Sequence, residues 1–246
     1  MPLKKAPGIV PAVDMNLGQA VVYVNRLRGL QEEVTGLKVG SDIYDEFGYL
    51  VGNTVLGQAD LDLPLILDMQ KRGTDVPFMI GRQNKMAGEY GFAAYIGSPL
   101  GSGSQAGETD KEMGSLQAFV KYCRESAMEP IIVLEMTQPG STHFAREGAC
   151  EDLARLSMEL GVRYFVAPAT RPERIQVYRE ILGDRGEIVS PGSGPQKTGD
   201  VVADAVSAIE HGADHLVIGR GLYGSDDPVG TTKRIFEAVA RAHEKR

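Results

Sequence analysis

The sequence has little of what marks a secreted, membrane or redox protein. Its only cysteines, Cys123 and Cys150, fall within predicted helices and have neither metal-ligand nor redox spacing. No apolar run reaches the roughly 18 residues that a membrane span needs. Residues 1–8 lack the apolar core of a secretory signal. We therefore expect a cytoplasmic protein that does not associate with a membrane.

An excess of basic residues is also missing, since the formal net charge is −7. This disfavours nucleic acid as a partner, because neutralising many phosphates needs a clustered basic surface. A small anionic metabolite can still be bound by a few local donors. The chain shows no cofactor motif that could act as an electron sink, so no cofactor is expected, and no metal site is predicted.

Short apolar or β-branched runs recur at fairly even spacing along the chain. Between them lie segments of helical periodicity, such as Ala20, Val24 and Leu27. At 246 residues, this alternation predicts an α/β protein with one (β/α)8 TIM-barrel domain spanning residues 1–246. An open, doubly wound sheet is the alternative. The eight predicted strands are 8–14, 35–40, 62–68, 91–97, 130–135, 163–167, 186–190 and 214–218.

A capping signal stands ahead of the sixth predicted helix. Thr170 and Glu173 have the spacing of a capping box around Pro172. We therefore expect that helix to begin near residue 171, with Thr170 as its N-cap.

Two segments rich in Gly and Ser, residues 98–110 and 191–200, each follow a predicted strand. The first fits a flexible surface loop. The second, with the preceding strand end, reads SPGSGPQ from Ser190 to Gln196, so its backbone N–H groups and a glutamine amide can approach an anion. Arg220 follows the eighth strand and can donate two parallel hydrogen bonds to a phosphate. Because phosphate commonly binds after strands seven and eight of this barrel, we predict a phosphate site there; a turn beside a surface arginine is the alternative.

Charged residues stand at the carboxyl ends of the first three predicted strands or shortly beyond the third, where burial is costly unless the charges are paired or used in function. Acids and bases that alternate around one pocket could satisfy each other. These residues are therefore candidates for the catalytic centre, although a purely structural ion network is the alternative. They are Asp14, Lys38, Asp68, Lys71 and Asp75.

Several motifs together resemble orotidine 5′-monophosphate decarboxylases of the archaeal type. They are Val13-Asp14, Leu37-Lys38-Val39-Gly40, residues 134–140 (LEMTQPG), 169–174 (ATRPER), 190–196 (SPGSGPQ) and 217–223 (VIGRGLY). The resemblance implies decarboxylation of a nucleotide to uridine 5′-monophosphate in pyrimidine biosynthesis, by a homodimer with active sites at its interface. It implies that Asp14 contacts the ribose, that Thr137 lies near the pyrimidine, and that the phosphate is bound by Gln196, Gly219 and Arg220. Pro191 is a further predicted substrate-binding residue.

The third strand departs from the family pattern. The family has Asp-x-Lys-x-x-Asp, whose lysine protonates the pyrimidine carbon and whose second aspartate reaches the neighbouring subunit's site. Here Lys71 comes one position late and Asp75 two positions late after Asp68. The resemblance still implies Lys71 as the acid, Asp68 and Asp75 as carboxylates of the network, and Lys38 as the lysine between them. This requires the loop to bulge, which the nearby Gly73 would allow.

Two other functions remain open. One is a Mg²⁺-dependent sugar-phosphate lyase or synthase of the same superfamily, although a glutamate would be expected there in place of Lys38. The other is a repurposed, non-catalytic phosphate-binding barrel that has lost the lysine-aspartate geometry of strand three.

Overall fold

A closed barrel of eight parallel strands forms the centre of the computed structural model, which describes residues 3, 6–57, 63–70, 73–99 and 103–246. Each strand pairs with the next, and β8 pairs with β1 in parallel register from Gly8↔His215 to Pro11↔Ile218. The predicted TIM barrel is thus confirmed, and an open sheet is excluded. The strands are β1 (Gly8–Val13), β2 (Leu37–Val39), β3 (Leu65–Asp68), β4 (Ala94–Gly97), β5 (Glu129–Val133), β6 (Tyr164–Val166), β7 (Glu187–Pro191) and β8 (His215–Ile218).

Helices alternate with the strands and cover the barrel. α2 bends at Gly48, whose φ of 70° is favourable only for glycine. The two cysteines lie in α4 and α5, as predicted, and burial raises the pKa of both thiols, that of Cys150 to about 11. The helices are α1 (Leu17–Arg26), α2 (Ser41–Gly57), α3 (Pro77–Glu89), α4 (Ser115–Glu125), α5 (Glu147–Glu159), α6 (Pro172–Leu182), α7 (Val201–Glu210), α8 (Arg220–Tyr223) and α9 (Pro228–His243).

The strands are apolar on both faces because each strand contributes to two packed layers. On β5, Ile131 and Val133 belong to the cluster that fills the barrel, whereas Ile132 belongs to the larger cluster between strands and helices. Leu3 is also part of the inner cluster and is 1% exposed. This two-sided burial explains why the runs were recognisable in the sequence as strands of a parallel sheet.

The predicted N-cap of α6 was wrong. Arg171 is the capping residue, and its side chain makes no capping hydrogen bond. Pro172 stands in the first turn of the helix, where its fixed φ favours the start without a side-chain cap. The Thr170 hydroxyl instead donates a hydrogen bond to the main-chain oxygen of Thr137 at 3.3 Å. Thr170 therefore connects two loops at the carboxyl ends of the strands.

Within the described part of the chain, no helix is long and apolar enough to cross a membrane.

Candidate active site

A cleft of about 210 Å³ lies at the carboxyl ends of the strands. Asp14 and Lys38 reach it from β1 and β2, and Thr137 reaches it from the loop after β5. The residues predicted to bind phosphate line the same cleft, coming from β7, the loop that follows it, and the segment after β8. They are Gln196, Gly219 and Arg220, together with Pro191, which was predicted to bind the substrate.

Lys38 is the centre of a buried charge cluster. Its Nζ lies 2.9 Å from Oδ1 of Asp14 and 2.5 Å from Oδ2 of Asp68. Burial lowers the pKa of Lys38, but Asp68 and Asp14 outweigh it and hold the pKa above its ordinary value. The ammonium therefore remains charged through the neutral range.

One oxygen of this cluster has no hydrogen-bond donor among the described residues. Oδ1 of Asp68 is buried and accepts no hydrogen bond from any residue that the structure describes. A buried carboxylate oxygen is costly to leave without a donor. The Asp68 end of the cluster can therefore accept a further hydrogen bond.

Gln70 lines the cleft at the position that the family pattern gives to a lysine. Its Nε2 donates to Oδ2 of Asp68 at 3.2 Å. Gly73 has a φ of 89°, so the loop does use the left-handed conformation expected of it. Lys71, the predicted acid, lies outside the described residues.

Asp75 is not brought to the cluster within a single chain. It is exposed, and its carboxylate accepts from the backbone N–H of Val76 at 2.8 Å and from Nε2 of Gln83 at 3.2 Å. Its place just before α3 favours an acid, because of the orphan N–H groups and the helix dipole there. A role for Asp75 in a neighbouring subunit's site remains a prediction.

The loop after β7 is fixed by Asp204, which sequence reasoning missed. This residue of α7 is 2% exposed and accepts hydrogen bonds from the backbone N–H groups of Gly194 and Thr198, at 2.8 and 3.2 Å. The Thr198 hydroxyl donates to its other oxygen at 2.8 Å. The available signal was an acid inside the otherwise apolar run VVADAVSAI.

The same loop supplies features suited to an anion. Gly192 and Gly194 have φ values of 111° and 87°, which few other residues adopt. The Ser193 hydroxyl lines the cleft, is buried, and has no hydrogen-bond partner in the part of the chain that is described. Arg220 begins α8 across the cleft and is exposed. Gln196, Ser193 and Arg220 thus bring an amide, a hydroxyl and a guanidinium to the lining of one cleft.

A second buried charge cluster, centred on Glu135, was also missed, although its motif had been noted. Glu135 follows β5, lines the cleft and is 3% exposed. Arg171, Arg174 and Tyr178 donate to its carboxylate. The signal was a charged residue directly after a buried strand.

Among the described residues, no group of three or more His, Cys, Asp or Glu side chains is arranged to hold a metal ion.

Comparison with known families matches residues 108–235 to the model of the orotidine 5′-phosphate decarboxylase / HUMPS family. A curated orotidine 5′-phosphate decarboxylase of Methanococcoides burtonii is 42% identical over 125 residues, covering 51% of this chain and 55% of that protein. One from Thermococcus kodakarensis is 38% identical over 118 residues, covering 47% and 53%. The chain thus spans about half the length of the curated relatives it matches.

Solved structures share the fold over nearly the whole chain. Orotidine 5′-monophosphate decarboxylase from Methanocaldococcus jannaschii, complexed with the inhibitor BMP, superposes with a TM-score of 0.74 at 22% identity, covering 95% of this chain and 99% of that one. Orotidine 5′-phosphate decarboxylase from Pyrococcus horikoshii gives 0.75 at 22% identity, covering 94% and 99%. At this identity the likeness shows the fold alone.

Proposed function

The chain belongs to the orotidine 5′-phosphate decarboxylase / HUMPS family, and from this premise we propose that it decarboxylates orotidine 5′-monophosphate to uridine 5′-monophosphate without a cofactor. The observation that carries the proposal is the Asp14–Lys38–Asp68 cluster, whose Asp14 and Lys38 line the same cleft as Ser193, Gln196 and Arg220. The family match itself covers Thr137 and the phosphate residues. Asp14, Lys38, Asp68 and Asp75 precede the matched range, so their roles depend on geometry and resemblance.

The phosphate end provides binding energy remote from the reaction. We assign the 5′-phosphate to Gln196, Arg220 and the backbone N–H groups of the glycine-rich loop, with Pro191 and Gly219 as walls of the subsite. Binding energy from a non-reacting group can be used to hold the pyrimidine in the geometry of the transition state. We assign Asp14 to accept from the ribose hydroxyls and Thr137 to contact the base.

The reaction itself calls for electrostatic stabilisation. Loss of CO2 from C6 of the pyrimidine leaves an electron pair that the ring cannot delocalise. A nearby ammonium can stabilise that charge, and a proton must then be delivered to C6. We assign this proton to Lys71, with Lys38 holding Asp68 as an ionised carboxylate beside the departing group.

A Mg²⁺-dependent sugar-phosphate reaction fits this centre less well. The Lys38 ammonium lies between the carboxylates of Asp14 and Asp68, and it would compete with a divalent cation for the same oxygens.

A non-catalytic, nucleotide-binding barrel is the second candidate, and one observation favours it. Gln70, a neutral residue, faces the cleft where the family pattern has its lysine, while Asp75 is satisfied by Val76 and Gln83. Such a protein would bind uridine 5′-monophosphate but leave orotidine 5′-monophosphate intact.

We further propose a homodimer whose sites are shared, with Asp75 acting in the partner's cleft. Mixing Asp75→Asn with Lys71→Ala subunits, each inactive alone, should then restore activity in heterodimers. If subunit exchange is confirmed and no activity returns, Asp75 does not act across the interface.

The experiment for the main proposal is a spectrophotometric assay of substrate loss, run in parallel with Mg²⁺ and with EDTA. Equal rates under both conditions support cofactor-independent decarboxylation. A rate that disappears in EDTA contradicts it, as does an intact substrate in a protein that binds uridine 5′-monophosphate.

A further inference from the structure

Glu135 is a buried acid in the wall of the cleft that the proposed reaction does not use. Its side chain is 1% exposed, and it lies two residues beyond the end of β5. A carboxylate this deeply buried requires paired charges and hydrogen bonds. The residues that pair with Glu135 therefore indicate which part of the cleft this carboxylate stabilises.

The two oxygens of Glu135 have different partners. Oε1 accepts from Nε of Arg174 and from the hydroxyl of Tyr178, both at 2.6 Å, and both donors belong to α6. Oε2 accepts from a terminal nitrogen of Arg171 at 2.9 Å. Burial raises the pKa of Glu135, but the hydrogen bonds from Tyr178, Arg174 and Arg171 outweigh it and keep the pKa below its ordinary value. The carboxylate is therefore ionised at neutral pH.

Arg171 connects Glu135 to the turn of residues 136–141. The same terminal nitrogen lies 2.9 Å from the main-chain oxygen of Met136 and 3.0 Å from the hydroxyl of Ser141. That hydroxyl in turn donates to the Met136 oxygen at 3.1 Å. The guanidinium thus holds both ends of the turn that carries Thr137 into the cleft.

The turn is packed directly against the phosphate loop. The Thr170 hydroxyl donates to the Thr137 main-chain oxygen. A Cβ added to Gly192 would lie 3.0 Å from Cγ2 of Thr170 and 3.1 Å from Cγ2 of Thr137. Little room is left between these groups, so a displaced turn would alter both the base and phosphate ends of the cleft.

Arg171 and Arg174 depend on Glu135 to different degrees. Arg174 also pairs with Glu151 at 3.0 Å and with Glu147 at 3.5 Å. Arg171 has one salt bridge within the described ranges, and it is with Glu135. Removing the Glu135 charge would therefore leave Arg174 paired with other carboxylates, whereas Arg171 would lose its salt bridge with Glu135.

We propose that Glu135 is a positioning residue: it fixes Arg171, and through Arg171 the 136–141 turn, so that Thr137 is presented correctly to the bound nucleotide. This inference rests on the proposed function for its kinetic consequence. Its structural consequence, recognition of the nucleoside, does not depend on turnover.

The test compares Glu135→Gln with Glu151→Gln. Both substitutions remove a negative charge beside Arg174, but only the first charge contacts Arg171. We expect Glu135→Gln to lower kcat/KM for orotidine 5′-monophosphate and the affinity for uridine 5′-monophosphate by about 10-fold or more, the effect of losing a charge-assisted contact. The affinity for inorganic phosphate should fall much less, and Glu151→Gln should change all three by less than about twofold.

The inference is overturned if the two variants behave alike, or if Glu135→Gln lowers only the melting temperature. Should Glu135→Gln fail to fold, a second variant is available. Ser141→Ala removes the hydroxyl that Arg171 contacts at the end of the 136–141 turn, and it leaves the buried carboxylate unchanged. Because this hydroxyl accepts from Arg171 and donates to Met136, we expect kcat/KM to fall by at least about 3-fold. Unchanged kinetics would refute the proposed link between Arg171 and the turn.

A wild-type protein that consumes no orotidine 5′-monophosphate would contradict the proposed function only. In that case the ratio of uridine 5′-monophosphate to phosphate affinity decides the inference. A lower ratio in Glu135→Gln than in Glu151→Gln supports it, and an equal ratio overturns it.

Discussion

Lys38 Nζ lies 2.5 Å from Oδ2 of Asp68, and both side chains are almost fully buried. Neither would be stable there alone, since an unpaired buried charge costs several kcal/mol. Asp14 and Gln70 complete the arrangement by contacting the two members of the pair. The proposed chemistry depends on this pair remaining ionised inside the cleft.

Replacing Lys38 by Met should therefore destabilise the protein by about 3–5 kcal/mol, because Asp68 is left buried without its cation. The double variant Lys38→Met/Asp68→Asn should recover part of that loss, since the uncompensated charge is gone. Urea denaturation of the two single variants and the double variant measures the coupling. If the losses in unfolding free energy of the two single variants add up to that of the double variant, the Lys38–Asp68 ion pair contributes no coupling energy.

We expect the stability of the folded protein to decrease at acid pH because of one carboxyl group, Glu187, at the base of the barrel. Burial raises the pKa of Glu187, but His215, whose Nε2 lies 2.8 Å from Oε2, and Arg163 hold it below its ordinary value. A carboxyl with a lowered pKa in the folded state stabilises the protein above its unfolded pKa, about 4.5, and less as pH falls through the folded value. The melting temperature of Glu187→Gln should thus lie below that of the wild type at pH 6, and the difference should shrink as pH falls below about 4.5. A gap that stays constant with pH would refute this linkage.

Arg220 should contribute to phosphate affinity. Because a hydrogen bond to a charged group is worth about 1.5–3 kcal/mol, Arg220→Ala should weaken binding of uridine 5′-monophosphate roughly 10- to 150-fold in calorimetry. Arg241, exposed in the last turn of α9, offers the control, and Arg241→Ala should leave affinity unchanged. Equal affinities in the two variants would remove Arg220 from the site.

Single substitutions can distinguish the catalytic contribution of Lys71 from that of Gln70. General acid catalysis is typically worth about 10²–10⁴-fold, so Lys71→Ala should lower turnover by at least about 100-fold with phosphate-dominated binding nearly intact. Gln70→Ala removes only a neutral donor to Asp68 and should have a much smaller effect on kcat. The reverse order of effects would assign the reacting centre to Gln70.

Much of the architecture could be predicted because its signals are local. The strands are apolar on both faces, and strand ends fix which polar residues face the cleft; Asp14 and Lys38 were found in this way. Asp204 and Glu135 were not, since an acid looks the same in sequence whether it faces solvent or holds a loop. Their roles depend on how the chain folds around them: Asp204 meets Gly194 and Thr198 only when the loop after β7 turns back onto α7, and Glu135 meets Arg171 only when β5 and β6 lie side by side.

Thr170 illustrates a competition that the sequence could not settle. Its spacing to Glu173 suits a helix cap, but the hydroxyl can also reach the neighbouring loop, and the contact with Thr137 prevailed. Similarly, the spacing after Asp68 showed that the third strand departs from the family pattern, but not that Gln70 would face the cleft.

Cofactor-independent decarboxylation can be measured as the yield of CO2 from orotidine 5′-monophosphate that carries an isotopic label in its carboxylate. We expect one labelled CO2 for each uridine 5′-monophosphate formed, at a rate unchanged by EDTA, and almost none from Lys38→Met. A wild-type protein that binds uridine 5′-monophosphate yet releases no labelled CO2 above the uncatalysed background would contradict the proposed function.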